Sequence, residues 1–152
     1  RYDRLLVLHT LSKGFGLAGI RVGYAIGNPA LIDAIDRIRP PGSISSVSNT
    51  LAIAALSEPG RMRRSVDRLV AERERFRDRL ITLGFEVAPS EANFLLAHIG
   101  PDAQKLATGL MREGLVVREF PHIPELDRHL RFTVRSGTDN DRLIDAIERI
   151  RK

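Results

Sequence analysis

The stretch His9-Thr10-Leu11-Ser12-Lys13-Gly14-Phe15-Gly16-Leu17-Ala18-Gly19-Ile20-Arg21-Val22-Gly23-Tyr24 decides how this chain is read. A lysine follows an apolar run, a glycine-rich loop comes next, and an arginine stands eight positions beyond the lysine. Upstream, Leu5 to Leu8 form a short continuous apolar run, the pattern of a strand buried on both faces. Downstream, residues 20–26 alternate as a second strand and stop at Gly27-Asn28-Pro29. The order is therefore strand, glycine loop, strand.

A lysine amine in this position can form an imine with an aldehyde and afterwards move protons. Ser12 and Arg21 supply a hydroxyl and a guanidinium for a phosphate beside it, and Arg21 can bind such a group bidentately. The glycines let the backbone turn sharply and pass close to a ligand. Lys13, Lys105 and Lys152 are the only lysines, and the other two fall on an amphipathic helix and at the C-terminus. Lysine chemistry in this chain is therefore assigned to Lys13.

Other readings of the loop are weaker. Gly14 to Gly19 match the spacing of a dinucleotide fingerprint, but that motif needs a helix to open on the loop and bind pyrophosphate at its N-terminus. Here a β-patterned segment follows, and Asp36, at a suitable distance, falls on a helix. A phosphate-binding P-loop places its lysine after the second glycine, whereas Lys13 precedes the first. A lone loop lysine would be read as solvated by default; Ser12, Arg21 and the glycines argue against that here.

Working outward, Asn28 and Pro29 read as an N-cap and first helical residue of a helix with Leu31, Ile32, Ile35 and Ile38 on one face, stopping before Pro40-Pro41. Residues 42–48 read as a hydroxyl-rich connector and residues 50–56 as a short, well-buried helix. A long helix over 61–83 carries Met62, Val66, Leu69, Val70, Phe76 and Leu80 at helical spacing and ends at Gly84. The remainder reads as βαβ-like units: strands at 85–87, 92–98, 115–118 and 130–134, a helix over 102–113, and a final helix from 139 with Thr138 as cap.

The 152 residues are 43% hydrophobic, enough for a folded core. No run reaches the roughly 18 apolar residues of a membrane helix. The start at Arg1 carries no signal pattern and reads as the middle of something longer. Zero cysteines exclude disulfides and thiolate metal sites. The net charge of +5 raises nucleic acid as a partner, but Asp67, Glu72, Glu74 and Asp78 are interleaved among the arginines. Arg63/Asp67 and Arg68/Glu72 stand at i,i+4, the spacing of a solvated helix face. No nucleic-acid, membrane or metal partner is expected.

Thr-Leu-Ser-Lys followed by Gly-Leu-Ala-Gly-Ile-Arg-Val-Gly-Tyr resembles the cofactor-lysine motif of fold-type-I pyridoxal-phosphate aminotransferases, most closely the histidinol-phosphate aminotransferase family. The resemblance covers almost the whole chain. It implies that Lys13 is the catalytic, cofactor-bearing lysine, that Ser12 and Arg21 hold the pyridoxal 5′-phosphate group, and that Thr10 belongs to the same neighbourhood. Ser90-Glu91-Ala92-Asn93-Phe94 resembles the family's Ser-x-Ala-Asn-Phe element, which implies a substrate-side role for Asn93. The arginines matching Arg118 and Arg131 bind the substrate's acidic end in that family. Pro40-Pro41-Gly42-Ser43-Ile44-Ser45 departs from the family's usual Pro-Pro-Tyr-Asn-Val-like stretch.

The implied fold is α/β: the end of a large cofactor-binding domain over 1–60, a linking helix over 61–83 and a small α+β domain over 84–152. The implied activity is transamination through a lysine Schiff base in a cytoplasmic homodimer of amino-acid (histidine) biosynthesis, with an amino donor and a keto acceptor as substrates. A phospho-amino-acid decarboxylase on the same scaffold and a non-catalytic remnant are the alternatives. The family's ring-binding aspartate lies upstream of the lysine, so the chain by itself is expected to turn over little or nothing.

Overall fold

A computed structural model describes residues 2–151. The chain divides into two units, Arg1–Val66 and Asp67–Lys152.

In the first unit, β1 (Leu6–Thr10) pairs antiparallel with β2 (Gly23–Gly27), with Leu6 opposite Gly27 and Thr10 opposite Gly23. The second strand starts later than its alternation predicts. Ala18–Ile20 form a 3-10 turn and Arg21 takes a left-handed backbone, so extended pairing begins only at Gly23. A Cβ at Gly23 would lie 2.6 Å from the His9 carbonyl oxygen, and no side chain fits there. β1 is not buried on both faces as its apolar run predicts: Leu8 is 73% exposed. The hairpin has only two strands, and Leu11 and Ala52 are the buried apolar residues of this unit among those described.

Helix α1 (Pro29–Ile38) begins as its sequence predicts, with the Asn28 side chain accepting the Ala30 N–H at 2.9 Å. Its apolar stripe is shallow, and Ile38 is 82% exposed. Helix α2 (Ser46–Ser57) starts earlier than predicted, because Ser45 Oγ accepts the Ser48 N–H at 3.1 Å and turns part of the hydroxyl-rich connector into a capped first turn. Helix α3 (Pro59–Thr82) carries the chain from the first unit into the second and gives way to a turn at Gly84. The predicted i,i+4 pairs are absent among the described ion pairs; Glu72 instead meets Arg75 at 2.8 Å.

In the second unit, β3 (Glu86–Val87), β4 (Phe94–His98) and β5 (His129–Thr133) form an antiparallel sheet in that order. A helix, α4 (Ala103–Arg112), lies between β4 and β5 in the chain, yet those strands are antiparallel. The reason lies in residues 115–118, predicted as a strand. They supply one further crossing antiparallel to β5 but make only a single bridge, Arg118 to Arg131. Side chains alternate along β4 and β5, so Leu95, Ala97, Leu130 and Phe132 enter the core with Leu106 and Leu110 of α4. Ile144 and Ile147 of α5 (Gly137–Arg151) and Phe76 and Leu80 of α3 complete it. Phe76 and Phe132 are fully buried and meet edge to face, centroids 6.2 Å apart. α5 is capped by Ser136 rather than Thr138: its Oγ accepts the Asp139 N–H at 3.2 Å and donates to the Asp139 carboxylate at 2.8 Å.

Candidate active site

The hairpin register places the first group of residues. Past Thr10 and Gly23 the Leu11 N–H still bonds to the Val22 carbonyl at 3.1 Å, so Ser12 and Arg21 follow on facing sides of the loop mouth. Leu11 is 1% exposed and anchors this end. The loop is closed on itself by Gly16 N–H to the Lys13 carbonyl at 2.9 Å and Leu17 N–H to the Leu11 carbonyl at 3.1 Å.

Among Gly14, Gly16 and Gly19 of the loop, only Gly16 takes a positive φ, +69°. A Cβ at Gly19 would meet nothing within 4 Å, and one at Gly14 would make ordinary contact with Met62. The second sharp turn falls on Arg21, at φ 56° and ψ 40°, the one non-glycine residue with positive φ among those described.

Thr10 Oγ1 accepts the Ser12 N–H at 3.1 Å and donates to Ser12 Oγ at 2.8 Å. The Ser12 hydroxyl hydrogen is thereby left to be given to an anion. Arg21 donates to the Ala18 carbonyl at 2.8 Å and has no carboxylate partner among the described residues, which leaves its remaining donors open. Lys13 is exposed and likewise free of ion pairs among the described residues. One available hydroxyl hydrogen on Ser12, a guanidinium with open donors and an accessible amine at one closed loop form a donor set suited to a phosphorylated aldehyde. The stacking of His9 on Tyr24, rings 5.0 Å apart across the hairpin, is a neighbouring contact that sequence reading missed.

The second group lies in the other unit. Arg118 and Arg131 exchange both backbone hydrogen bonds, at 3.1 and 3.0 Å, so their side chains leave the sheet side by side. The Arg131 guanidinium lies over the Phe94 ring, 5.0 Å from its centroid, and its Nε is buried with no hydrogen-bond partner. Neither arginine has a carboxylate partner among the described residues. Such a pair suits an acidic group. Asn93 stands just before β4, its carbonyl accepting the Val134 N–H at 3.0 Å.

Two polar residues under this end of the sheet escaped sequence reading. Arg73 is 4% exposed and Asn140 1%. Arg73 stands four residues after Leu69 and three before Phe76, on the apolar stripe of α3; an arginine at a core position was the available signal. Asn140 donates to Glu72 at 2.8 Å and accepts the Arg135 N–H at 3.2 Å. Hydrogen bonds from Arg75 above all, then from Asn140, hold the Glu72 carboxyl below its ordinary range, and Arg75 is correspondingly raised.

The family model for aminotransferase class I and II matches residues 1–150. A histidinol-phosphate aminotransferase of Pyrococcus furiosus is 42% identical over 147 residues, 97% of this chain and 40% of that protein. An aromatic amino acid aminotransferase of Mycobacterium avium is 40% identical over 142 residues, 93% of this chain and 39% of that protein. The crystal structure of histidinol-phosphate aminotransferase from Sinorhizobium meliloti in complex with pyridoxal-5′-phosphate superposes with a TM-score of 0.86 at 28% identity, covering 97% of this chain and 41% of that one. The chain thus spans about two-fifths of the length of the relatives it matches. With the family model matched almost end to end, this chain belongs to the aminotransferase class I and II family.

Proposed function

We propose that the complete protein is a pyridoxal-5′-phosphate-dependent aminotransferase of the histidinol-phosphate type. It would move an amino group from an amino-acid donor to a phosphorylated or carboxylated keto acceptor, as a cytoplasmic homodimer. The observation that carries the reading is the exposed Lys13 on a closed loop whose mouth is flanked by Ser12 and Arg21. When bound, the cofactor supplies an aldehyde that joins to amino groups and a ring that takes up the electron pair released at the substrate Cα.

The chain's own residues do the rest. Thr10 sets the rotor of Ser12, whose O–H is given to the phosphate group. Arg21 adds charge-assisted donors to the same group. Lys13 Nζ would hold the cofactor, and its amine, when free, would take the proton from the substrate Cα and return one. Arg131 and Arg118 grip the acidic end of the substrate, with Phe94 fixing the Arg131 plane. The 42% identity with the Pyrococcus histidinol-phosphate enzyme supports histidinol phosphate as the substrate. The 40% identity with the Mycobacterium aromatic enzyme supports aromatic amino acids as the second reading.

The complete protein, loaded with cofactor and reduced with borohydride, should yield one labelled peptide containing Lys13. Lys13→Ala should lose the label and lower turnover of histidinol phosphate with 2-oxoglutarate by at least about a thousandfold. A label elsewhere, or one that survives Lys13→Ala, would remove Lys13 from the mechanism. Turnover of aromatic amino acids but not histidinol phosphate would select the second reading.

A further inference from the structure

The mechanism above makes no use of Arg73, although a guanidinium 4% exposed is costly to bury and needs partners. Its partners all lie in its own unit. Nε meets Glu74 at 3.1 Å, one terminal nitrogen meets Glu91 at 3.3 Å, and the other donates to the Ala92 carbonyl at 3.3 Å. That last acceptor belongs to the peptide that enters Asn93. On the other side of Asn93, its own carbonyl receives the Val134 N–H. The loop before it is stiffened as well: Ser90 Oγ donates to the Phe94 carbonyl at 2.7 Å and accepts the Ala92 N–H at 3.1 Å.

Asn93 is therefore held at both of its peptides, from α3 on one side and from β5 on the other. The neighbouring α3 residue, Glu72, secures the same end of β5 through Asn140 and Arg135. Two consecutive charged residues of one helix thus fasten the two strand ends that meet at Asn93 and Val134.

We propose that Arg73 is a positioning residue that sets Asn93 for substrate, acting through the Ala92 carbonyl and not by touching substrate or cofactor. The proposal rests on the functional reading above and on the substrate-side role that the family resemblance implies for Asn93. A purely stabilising arginine would affect the whole unit alike; a positioning one acts locally and on substrate affinity.

The test uses the complete holoenzyme with Arg73→Met and Arg73→Lys, and with Arg149→Met, which removes an ion pair to Glu113, as a control. Arg73→Met should raise KM for histidinol phosphate by about tenfold or more, leave cofactor affinity unchanged, and be partly rescued by Arg73→Lys. Amide exchange at Val134 should quicken in both Arg73 variants while Ala97 and Leu130 keep wild-type protection, and Arg149→Met should move none of these. Unchanged KM with unchanged exchange at Val134 overturns the proposal. So does a uniform loss of protection across β4 and β5 in Arg73→Lys, which would make the residue a general stabiliser. If the wild-type enzyme turns over aromatic amino acids and not histidinol phosphate, the substrate reading fails separately, and KM for the aromatic substrate together with exchange at Val134 decides the role of Arg73.

Discussion

At Arg21 a long side chain sits on a left-handed backbone, where an L-residue other than glycine, asparagine or aspartate is uncommon. Strain of this kind persists where the surroundings enforce it and often marks a functional position. Here the Ala18 carbonyl and the pairing of Val22 with Leu11 enforce it. Glycine would relieve the backbone and delete the guanidinium that the proposed function assigns to the phosphate group in one step. Arg21→Gly in the complete protein should therefore melt at or above the wild-type temperature while cofactor affinity falls by at least about tenfold. Thermal denaturation of the cofactor-free protein and a cofactor titration would check the two halves. A clear loss of thermal stability would show that the hairpin needs the Arg21 side chain in order to fold.

At the scale of elements, α3 joins charge to packing. Its Glu72 has a lowered folded-state pKa against an ordinary value of 4.5, chiefly through hydrogen bonds from Arg75. A depressed carboxyl contributes stability above its unfolded pKa and loses it as pH falls through the folded value. The second unit should thus weaken on acidification below about pH 4.5. Glu72→Gln should be less stable near neutrality and show a shallower acid decline, measured by urea denaturation at several pH values. An identical pH slope in the variant would mean that other carboxylates govern acid unfolding. The charge pattern of this helix was only half legible in the sequence. Interleaved signs announced a solvated face, but i,i+4 spacing chose the wrong partners for Glu72, because Asn140 and Asp141 approach from α5 and draw Glu72 and Arg75 together. Asn28, Pro29 and Gly84 marked boundaries correctly, since caps and turns are local chemistry. The start of α2 was missed because Ser45 stands in a run of hydroxyl residues that reads equally as loop. Ser12, Lys13 and Arg21 were visible as a motif, whereas the Thr10–Ser12 bond and the Arg118–Arg131 bridge arise from strand register, which a single sequence does not state.

At the scale of the whole chain, the two units are unequal. The second has a contiguous core built on Phe76, Leu95, Leu110, Phe132 and Ile147, while the first buries Leu11 and Ala52 among the described residues. A two-stranded hairpin is marginal in water without a covered face. Hydrogen exchange on this 152-residue chain should find β4, β5 and α5 protected, and the amides of β1, β2 and α2 exchanging faster by orders of magnitude. Equal protection in both units would show that the hairpin needs no further cover. The bridge between Arg118 and Arg131 has a different bearing. Because each peptide holds the other, the roots of the two guanidinium groups keep a constant separation as long as the sheet survives, whatever the side chains do. That makes the pair a ruler. Under the proposed function it would match acids whose oxygens span that separation, and a slip of strand register would recalibrate it.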